Sequence, residues 1–166
     1  MSSLRKQASD GLQAGAEFLL KRRFSEKETL VFGDLTRDYN PVHYDTGWSD
    51  EKGFDGLICH GLLVGSMICE FGGQVGWLAS GMNFKFLRPV YFDDEIICRI
   101  TLQEVRENGR ATAEGIFTNQ DGVQIAWVEL HGRLPVGNEK AYLNQMLESG
   151  DPSNKMLGKT YLQTEG

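Results

Sequence analysis

The sequence has little of what marks secreted, membrane-spanning or nucleic-acid-binding proteins. Its 166 residues contain three cysteines, Cys59, Cys69 and Cys98, which are too few and too far apart for a zinc site. The odd number also argues against a disulfide framework, so we expect three small apolar fillers. No apolar run approaches the roughly 20 residues of a membrane span. The net charge of −6 excludes a typical nucleic-acid-binding surface.

What is present is the composition of one ordinary globular domain. Hydrophobic residues make up 40% and charged residues 24% of the chain, which is long enough for one core and too short for two. The N-terminus has no apolar core that could serve as a signal peptide, so a cytoplasmic location is expected. We divide the chain into an N-terminal arm (1–15), a central domain (16–135) and a C-terminal extension (136–166).

The first clear helix signal is the SxxE capping box of Ser25 and Glu28. We predict a helix from about Ser25 that ends no later than Asn40, because Pro41 disfavours the helical conformation in the residue before it. The side chains expected to face inward are Leu30, Val31 and Leu35.

A second, longer helix is predicted within 57–78, a stretch that is apolar nearly all round and is therefore expected to be buried on every face. Strand-like segments follow at 82–92, 95–106, 110–118 and 123–134, separated by turn signals. One more element, which begins at Ala16, comes before both predicted helices. Short connections between the four segments predict an antiparallel meander. A last helix is expected near NEKAYLNQMLE, with loose chain after Gly150. This pattern predicts an α+β fold of the hotdog type, an antiparallel sheet wrapped round a long central helix.

The stretch TRDYNPVHYD places an acid and a histidine, Asp38 and His43, on either side of Asn40 and Pro41. Such a loop can aim both groups at one water molecule, which suits hydration or dehydration chemistry, and positioned proton transfer contributes about 10²–10⁴ in rate. The ordinary alternative is a surface turn in which Asp38 and Asn40 are turn-formers before a proline.

A second candidate element is CHGLLVGS, in which Gly61 falls at the start of the predicted long helix. The first amides of a helix have no partner within it, and glycine allows a ligand to approach them closely. A carbonyl oxygen bound there would be polarised as in an oxyanion hole, an effect worth on the order of 3 kcal/mol. The alternative is that His60 and Gly61 only form a helix-entry turn.

These motifs together resemble a known family. DxNPxH at 38–43, HGLLxxS at 60–66 and the segment FKFLRPVYFDDE are similar to the MaoC-type dehydratases, the (R)-specific enoyl-CoA hydratases of the hotdog superfamily. The resemblance covers about residues 16–135, with the motifs in the expected order. One position departs from the family pattern, because Arg37 stands where glycine usually precedes the acid.

The resemblance implies a role for each matching residue. Asp38 and His43 would form the catalytic dyad, Asn40 would hold the loop, the Gly61 amide would bind the thioester oxygen, and Ser66 would support the dyad. The roles of base and acid within the dyad stay open.

Three further side chains are not covered by these roles. His60 either takes a direct part beside Gly61 or only caps and packs. Arg88 lies near the expected mouth of the site and is a candidate for contacting coenzyme A phosphates, with a surface salt partner as the alternative. His131, in the last strand, is expected to be structural.

The expected activity is that of a hydro-lyase that adds water to, or removes it from, an acyl thioester. No metal or redox cofactor is expected, and the substrate is an acyl-CoA or an acyl carrier protein thioester. The exposed sheet edge of a small hotdog predicts a homodimer. The alternatives are a hotdog acyl-CoA thioesterase and a non-catalytic acyl-thioester-binding subunit of a heterodimer.

Overall fold

The computed structural model describes residues 4–156, which form one antiparallel sheet with helices packed on it. None of the helices in this range is long and apolar enough to cross a membrane. The elements in chain order are α1 (Leu4–Asp10), β1 (Glu17–Arg23), α2 (Glu26–Thr36), a 3₁₀ turn (Pro41–His43), α3 (Thr46–Glu51), α4 (Gly61–Gly65), α5 (Met67–Val75), β2 (Leu78–Phe86), β3 (Glu95–Val105), β4 (Arg110–Thr118), β5 (Gln124–Arg133) and α6 (Asn138–Glu148).

The strand order is β1-β3-β4-β5-β2, and every neighbouring pair is antiparallel. The predicted meander is confirmed for β3, β4 and β5. It is wrong for β2, which pairs with β5 at the far edge of the sheet. The apolar run 82–92, predicted as one strand, divides at Phe86, and segment 87–94 then crosses to the β1 side, where the amide of Asp93 donates to the carbonyl of Phe24. The strand propensities of neighbouring residues do not predict a crossing of this kind.

The predicted central helix is two short helices, α4 and α5, separated by Ser66. Met67, Phe71 and Val75 are fully buried against the sheet, whose inner face supplies Ile96, Cys98 and Ile100 among others. The opposite side is open, because Leu62 is 60% exposed and Cys69 is exposed. Burial on every face was therefore a wrong prediction, and Cys69 is not a core filler, whereas Cys59 and Cys98 are.

The capping box at the start of α2 is confirmed, since the Glu28 amide donates to Ser25 Oγ and the Ser25 amide donates to the Glu28 carboxylate. The inward face was predicted wrongly. Leu30, Val31 and Leu35 are 43%, 59% and 80% exposed. The buried side instead carries Thr29 and Gly33. Tyr44 packs directly against this side of the helix, so closely that a Cβ on Gly33 would overlap its hydroxyl.

The end of α2 is set by Arg37 and not by Pro41. Arg37 is the C-cap and has φ 60° and ψ 28°, the left-handed conformation that stops a helix and that favours glycine. Pro41 instead opens the 3₁₀ turn, where its fixed φ suits the first position. The loop after it contains a short helix, α3, which the sequence analysis did not predict and which Asp45 caps by accepting from the Trp48 amide at 2.7 Å.

The two ends of the described chain pack together on α5. Arg5 pairs with buried Asp151 at 2.6 Å and donates to the carbonyl of Gly73 at 2.8 Å. The helix predicted near NEKAYLNQMLE is confirmed as α6, which contacts α1. Of the loose chain predicted after Gly150, residues 151–156 are described and 157–166 lie outside the described residues.

We predict that Arg37→Gly stabilises the fold. A left-handed backbone costs a residue with a Cβ about 1–2 kcal/mol, and the larger entropy of an unfolded glycine offsets only part of this. The free energy of unfolding, measured in urea, is therefore expected to rise by up to about 1 kcal/mol. Arg37→Ala is the matched control, because it removes the charge and keeps the Cβ. Equal stability of the two variants would show that no strain resides here.

Candidate active site

The loop after α2 turns its histidine inward and leaves its acid at the surface. Asn40 initiates the 3₁₀ turn, as its side-chain oxygen accepts from the Val42 amide at 3.4 Å and its carbonyl accepts from the His43 amide at 3.1 Å. His43 is consequently 7% exposed, whereas Asp38 is exposed. The loop-holding role that the resemblance implies for Asn40 agrees with these two bonds.

Asp38 and His43 meet despite this difference in burial. A carboxylate oxygen of Asp38 and ring nitrogens of His43 and His60 lie within 4.8 Å of one another. His43 Nδ1 donates to the carbonyl of Ile58 at 2.8 Å, so Nε2 is the ring nitrogen left to accept a proton. The Asp38 carboxylate accepts from the Asn40 amide at 3.3 Å. The Asp38 carboxylate and the His43 ring thus lie close enough for one water molecule to bridge the two side chains.

The environment keeps His43 neutral. Burial lowers its pKa below the ordinary 6.5, and the neighbouring His60 lowers it further, while the Ile58 carbonyl and the Asp38 carboxylate oppose the change. At neutral pH the ring therefore presents a lone pair and not a second N–H.

His60 lies behind His43 and not in the pocket. It is 1% exposed, its ring stacks on that of His43 with centroids 3.7 Å apart, and its Nε2 donates to the main-chain carbonyl of Asp38 at 2.9 Å. Its position as N-cap of α4 matches the sequence prediction, although it makes no side-chain cap bond. The structure therefore keeps His60 out of the pocket, and of the two roles considered from the sequence it agrees with packing at the start of α4.

Asp38, His43 and His60 are also the kind of residues that bind metal ions, yet their arrangement does not suit one. A metal ion lies in the plane of each ligating imidazole, about 2.0–2.1 Å from the nitrogen. The two rings are stacked with only 29° between their planes, so their lone pairs do not converge at that distance. The stack serves packing and positioning.

A pocket of about 420 Å³ opens beside the dyad and is lined by His43, Asn40 and Gly61. Ile125 and Ala126 both line it, because a register shift between β4 and β5 interrupts the alternation of side chains at this point of β5. Its apolar lining includes Val42, Phe54, Ile58, Val64, Val90 and Phe86. The pocket therefore suits an apolar chain with a polar group at one end.

Gly61 stands where the sequence analysis placed it, at the first position of α4 and on the wall of the pocket. The Phe86 ring packs so closely that a Cβ at Gly61 would lie 3.2 Å from it. The first amides of α4 have no partner within the helix, and its N-cap supplies no side-chain acceptor. An amide at this position can donate to an oxygen atom in the pocket.

The remaining candidates divide between the pocket and other places. Arg88 is exposed at the rim of the pocket and donates to the carbonyl of Gln124 at 2.6 Å. Ser66 is not brought to the dyad, since its hydroxyl donates to the Leu63 carbonyl at 2.6 Å. His131 is about half exposed on the outer side of β5, 3.5 Å from Glu129, away from the pocket.

Tyr44 is the residue of the site that the sequence analysis did not single out. Its hydroxyl donates to the same Asp38 carbonyl at 3.2 Å, a second bond to that oxygen beside the one from His60. Its position directly after His43 was visible in the sequence. Its hydrogen-bond partner is a main-chain carbonyl, however, which every residue has, so the sequence could not predict this contact.

The sequence matches a known protein family and several of its members. Residues 10–123 match the family described as MaoC like domain. The chain is 29% identical over 105 residues to an (R)-specific enoyl-CoA hydratase of Aeromonas caviae, covering 61% of this chain and 78% of that enzyme. It is 30% identical to a mitochondrial 3-hydroxyacyl-[acyl-carrier-protein] dehydratase of Solanum lycopersicum, covering 60% of this chain but only 62% of that protein.

Among solved structures, the (R)-hydratase from A. caviae superimposes with a TM-score of 0.70 at 28% identity, covering 75% of this chain and 98% of that one. The α+β hotdog prediction is confirmed by this likeness together with the five-stranded antiparallel sheet.

We predict that the His43 ring titrates below pH 6.5, because burial disfavours its charged form. As the pH falls, the unfolded chain therefore protonates His43 at a higher pH than the folded chain does. His43 thus lowers the free energy of unfolding as the pH falls below about 6.5. NMR titration of the imidazole resonances, assigned with His43→Ala, measures the midpoint. Asp38→Asn is expected to lower it further, as the carboxylate favours the charged ring. A midpoint above 6.5 contradicts the burial argument.

Proposed function

The chain belongs to the family of MaoC-like domains, and on that premise we propose that it is a hydro-lyase acting on acyl thioesters. The proposed reaction hydrates trans-2-enoyl thioesters to (R)-3-hydroxyacyl thioesters, or runs in the reverse direction as a dehydration. One observation carries the proposal: Asp38 and His43 approach within 4.8 Å beside an apolar pocket that also contains the first residue of α4.

Substrate binding follows from the two ends of the pocket. The acyl chain packs on the apolar lining, while the thioester oxygen accepts from the Gly61 amide. As water adds to C3, negative charge develops on this oxygen, and a fixed donor is worth on the order of 3 kcal/mol there. Glycine suits this position because a Cβ would lie 3.2 Å from the Phe86 ring, which would have to move slightly to accommodate it.

The proton transfers belong to the dyad. A water molecule donates to the Asp38 carboxylate and to neutral His43 Nε2, so that its oxygen points at C3. As the C3–O bond forms, one water proton passes to the dyad, and the dyad gives a proton to C2. The enzyme ends in its starting protonation state, and the reaction has no net oxidation or reduction. The lowered pKa of His43 supports this role, because it keeps an accepting nitrogen available at neutral pH.

We propose coenzyme A as the carrier. Arg88 stands at the rim of the pocket, and no carboxylate in the described part of the chain pairs with it. Its guanidinium can therefore bind a phosphate of the carrier. The net charge of −6 opposes docking of a typically acidic carrier protein.

The proposed assembly is a homodimer. β2 is an edge strand, and Leu78, Met82 and Phe86 along it are exposed. Pairing of two β2 edges across a two-fold axis would cover both these side chains and the open main-chain groups.

We predict that the protein hydrates crotonyl-CoA, seen as loss of the enoyl absorbance without release of a thiol. Asp38→Asn and His43→Ala are each expected to lower kcat by about 10²-fold or more, since each removes one acceptor of the bridging water. His131→Ala is the control, because His131 lies outside the pocket. Thiol release would indicate a thioesterase, and full activity of either dyad variant would refute the mechanism.

We predict that Arg88→Ala raises KM for crotonyl-CoA several-fold and leaves kcat nearly unchanged, because the phosphate contact is made in both ground and transition states. Steady-state kinetics at two salt concentrations measure this. The matched control is Arg99→Ala, which removes an exposed arginine paired with Glu17 away from the pocket. A loss in kcat alone would mean that Arg88 does not bind the carrier.

A further inference from the structure

The main-chain carbonyl of Asp38 accepts two side-chain hydrogen bonds. His60 donates from Nε2 at 2.9 Å and Tyr44 from its hydroxyl at 3.2 Å. Neither side chain lines the pocket beside the dyad. Both donors therefore act on the backbone that carries the acid, and not on the substrate.

Each donor is itself held firmly. His60 is 1% exposed and packs against Phe32, with ring centroids 5.2 Å apart, as well as against His43. The Tyr44 hydroxyl occupies the space that a side chain on Gly33 would need. Two packed donors thus reach one oxygen, one from the N-cap of α4 and the other from the residue after the 3₁₀ turn.

The residue they hold is poorly fixed by its own surroundings. Asp38 is exposed, and within the described chain its carboxylate accepts only from the Asn40 amide, at 3.3 Å. It follows Arg37, whose left-handed conformation is unfavourable for a residue with a side chain. Without external contacts, rotation about the Arg37 and Asp38 backbone would relieve this conformation and carry the carboxylate away from His43.

We propose that His60 and Tyr44 are positioning residues that clamp the Asp38 peptide so that its carboxylate stays within reach of His43. This inference rests on the proposed function for its catalytic consequence. The clamp itself concerns only the position of the Asp38 carboxylate relative to His43.

The hydrogen-bonding atoms of both donors fit the clamp. Burial and the carboxylates of Asp34 and Asp38 raise the pKa of Tyr44, so the hydroxyl keeps its proton. His60 Nδ1 is buried without a partner within the described residues, and Nε2 is the ring nitrogen that donates to the Asp38 carbonyl.

The first experiment compares two replacements of His60 by kinetics on crotonyl-CoA. His60→Gln can keep an N–H donor near the Nε2 position, whereas His60→Phe keeps a ring to stack on His43 and loses the donor. The clamp predicts that the Gln variant has a kcat about tenfold above that of the Phe variant. A merely structural role for the ring predicts the reverse order, and that order would overturn the proposal for His60.

The second experiment removes the hydroxyl of Tyr44. Tyr44→Phe is expected to lower kcat about tenfold with KM changed less than twofold. The matched control is Tyr39→Phe, because Tyr39 is a neighbouring tyrosine whose hydroxyl donates to Asp34 at 3.1 Å and not to Asp38. The control is expected to keep wild-type kinetics.

A readout independent of activity is the NMR titration of His43 in the same variants. The Asp38 carboxylate raises the pKa of His43, so release of Asp38 in Tyr44→Phe is expected to move the midpoint down toward that of Asp38→Asn. Tyr39→Phe is expected to leave it in place. A Tyr44→Phe variant that melts earlier but keeps both kcat and the His43 midpoint would overturn the clamp. If the wild type does not hydrate crotonyl-CoA, the proposed function is wrong. The titration midpoint of His43 in the variants still tests the clamp in that case.

Discussion

The packing of α5 against the concave face of the sheet is the contact on which the site depends. Met67, Phe71 and Val75 are fully buried there, and each such side chain contributes roughly 1.5–3 kcal/mol. This packing fixes the axis of α5 and, through Ser66, the position of the short helix α4, which ends at Gly65. The positions of His60 and Gly61 follow from it, because they are the N-cap and the first residue of α4.

The loop that carries the dyad is attached to this frame by few contacts. His43 donates to the Ile58 carbonyl, and Asp38 is held through its own carbonyl by His60 and Tyr44. Two histidines stacked at 3.7 Å thus take different roles, because hydrogen bonds direct their nitrogens to different partners. His43 keeps an accepting nitrogen beside the pocket, whereas His60 donates from Nε2 to the main chain.

Two open surfaces lie on the same side of the fold. The outer edge of β2 and the exposed side of α4 and α5, which carries Leu62 and Cys69, are not covered within residues 4–156. They are joined through Phe84 and Phe86, whose rings pack over Gly65 and Gly61. A partner on this surface would therefore contact the wall of the pocket.

The sequence by itself determined the elements whose signals are local. The capping box of Ser25 and Glu28, strand β4 at 110–118, helix α6 and the DxNPxH turn were all predicted from neighbouring residues, and the structure has them in those places. The family resemblance also assigned Asp38, His43 and Gly61 to one site. The fold brings Asp38 close to His43, and His43 and Gly61 line one pocket, whereas Asp38 does not line it. Local rules suffice here because caps, turns and strand alternation depend on side chains only a few positions apart.

Only the tertiary structure decided the rest. The buried face of α2 depends on Tyr44, the position of β2 depends on a crossing by segment 87–94, and the end of α2 depends on a left-handed Arg37 that propensity disfavours. The role of His60 depends on a main-chain oxygen 22 residues away in sequence. These features rest on contacts between distant segments and on backbone atoms, which every residue has and which no sequence pattern distinguishes.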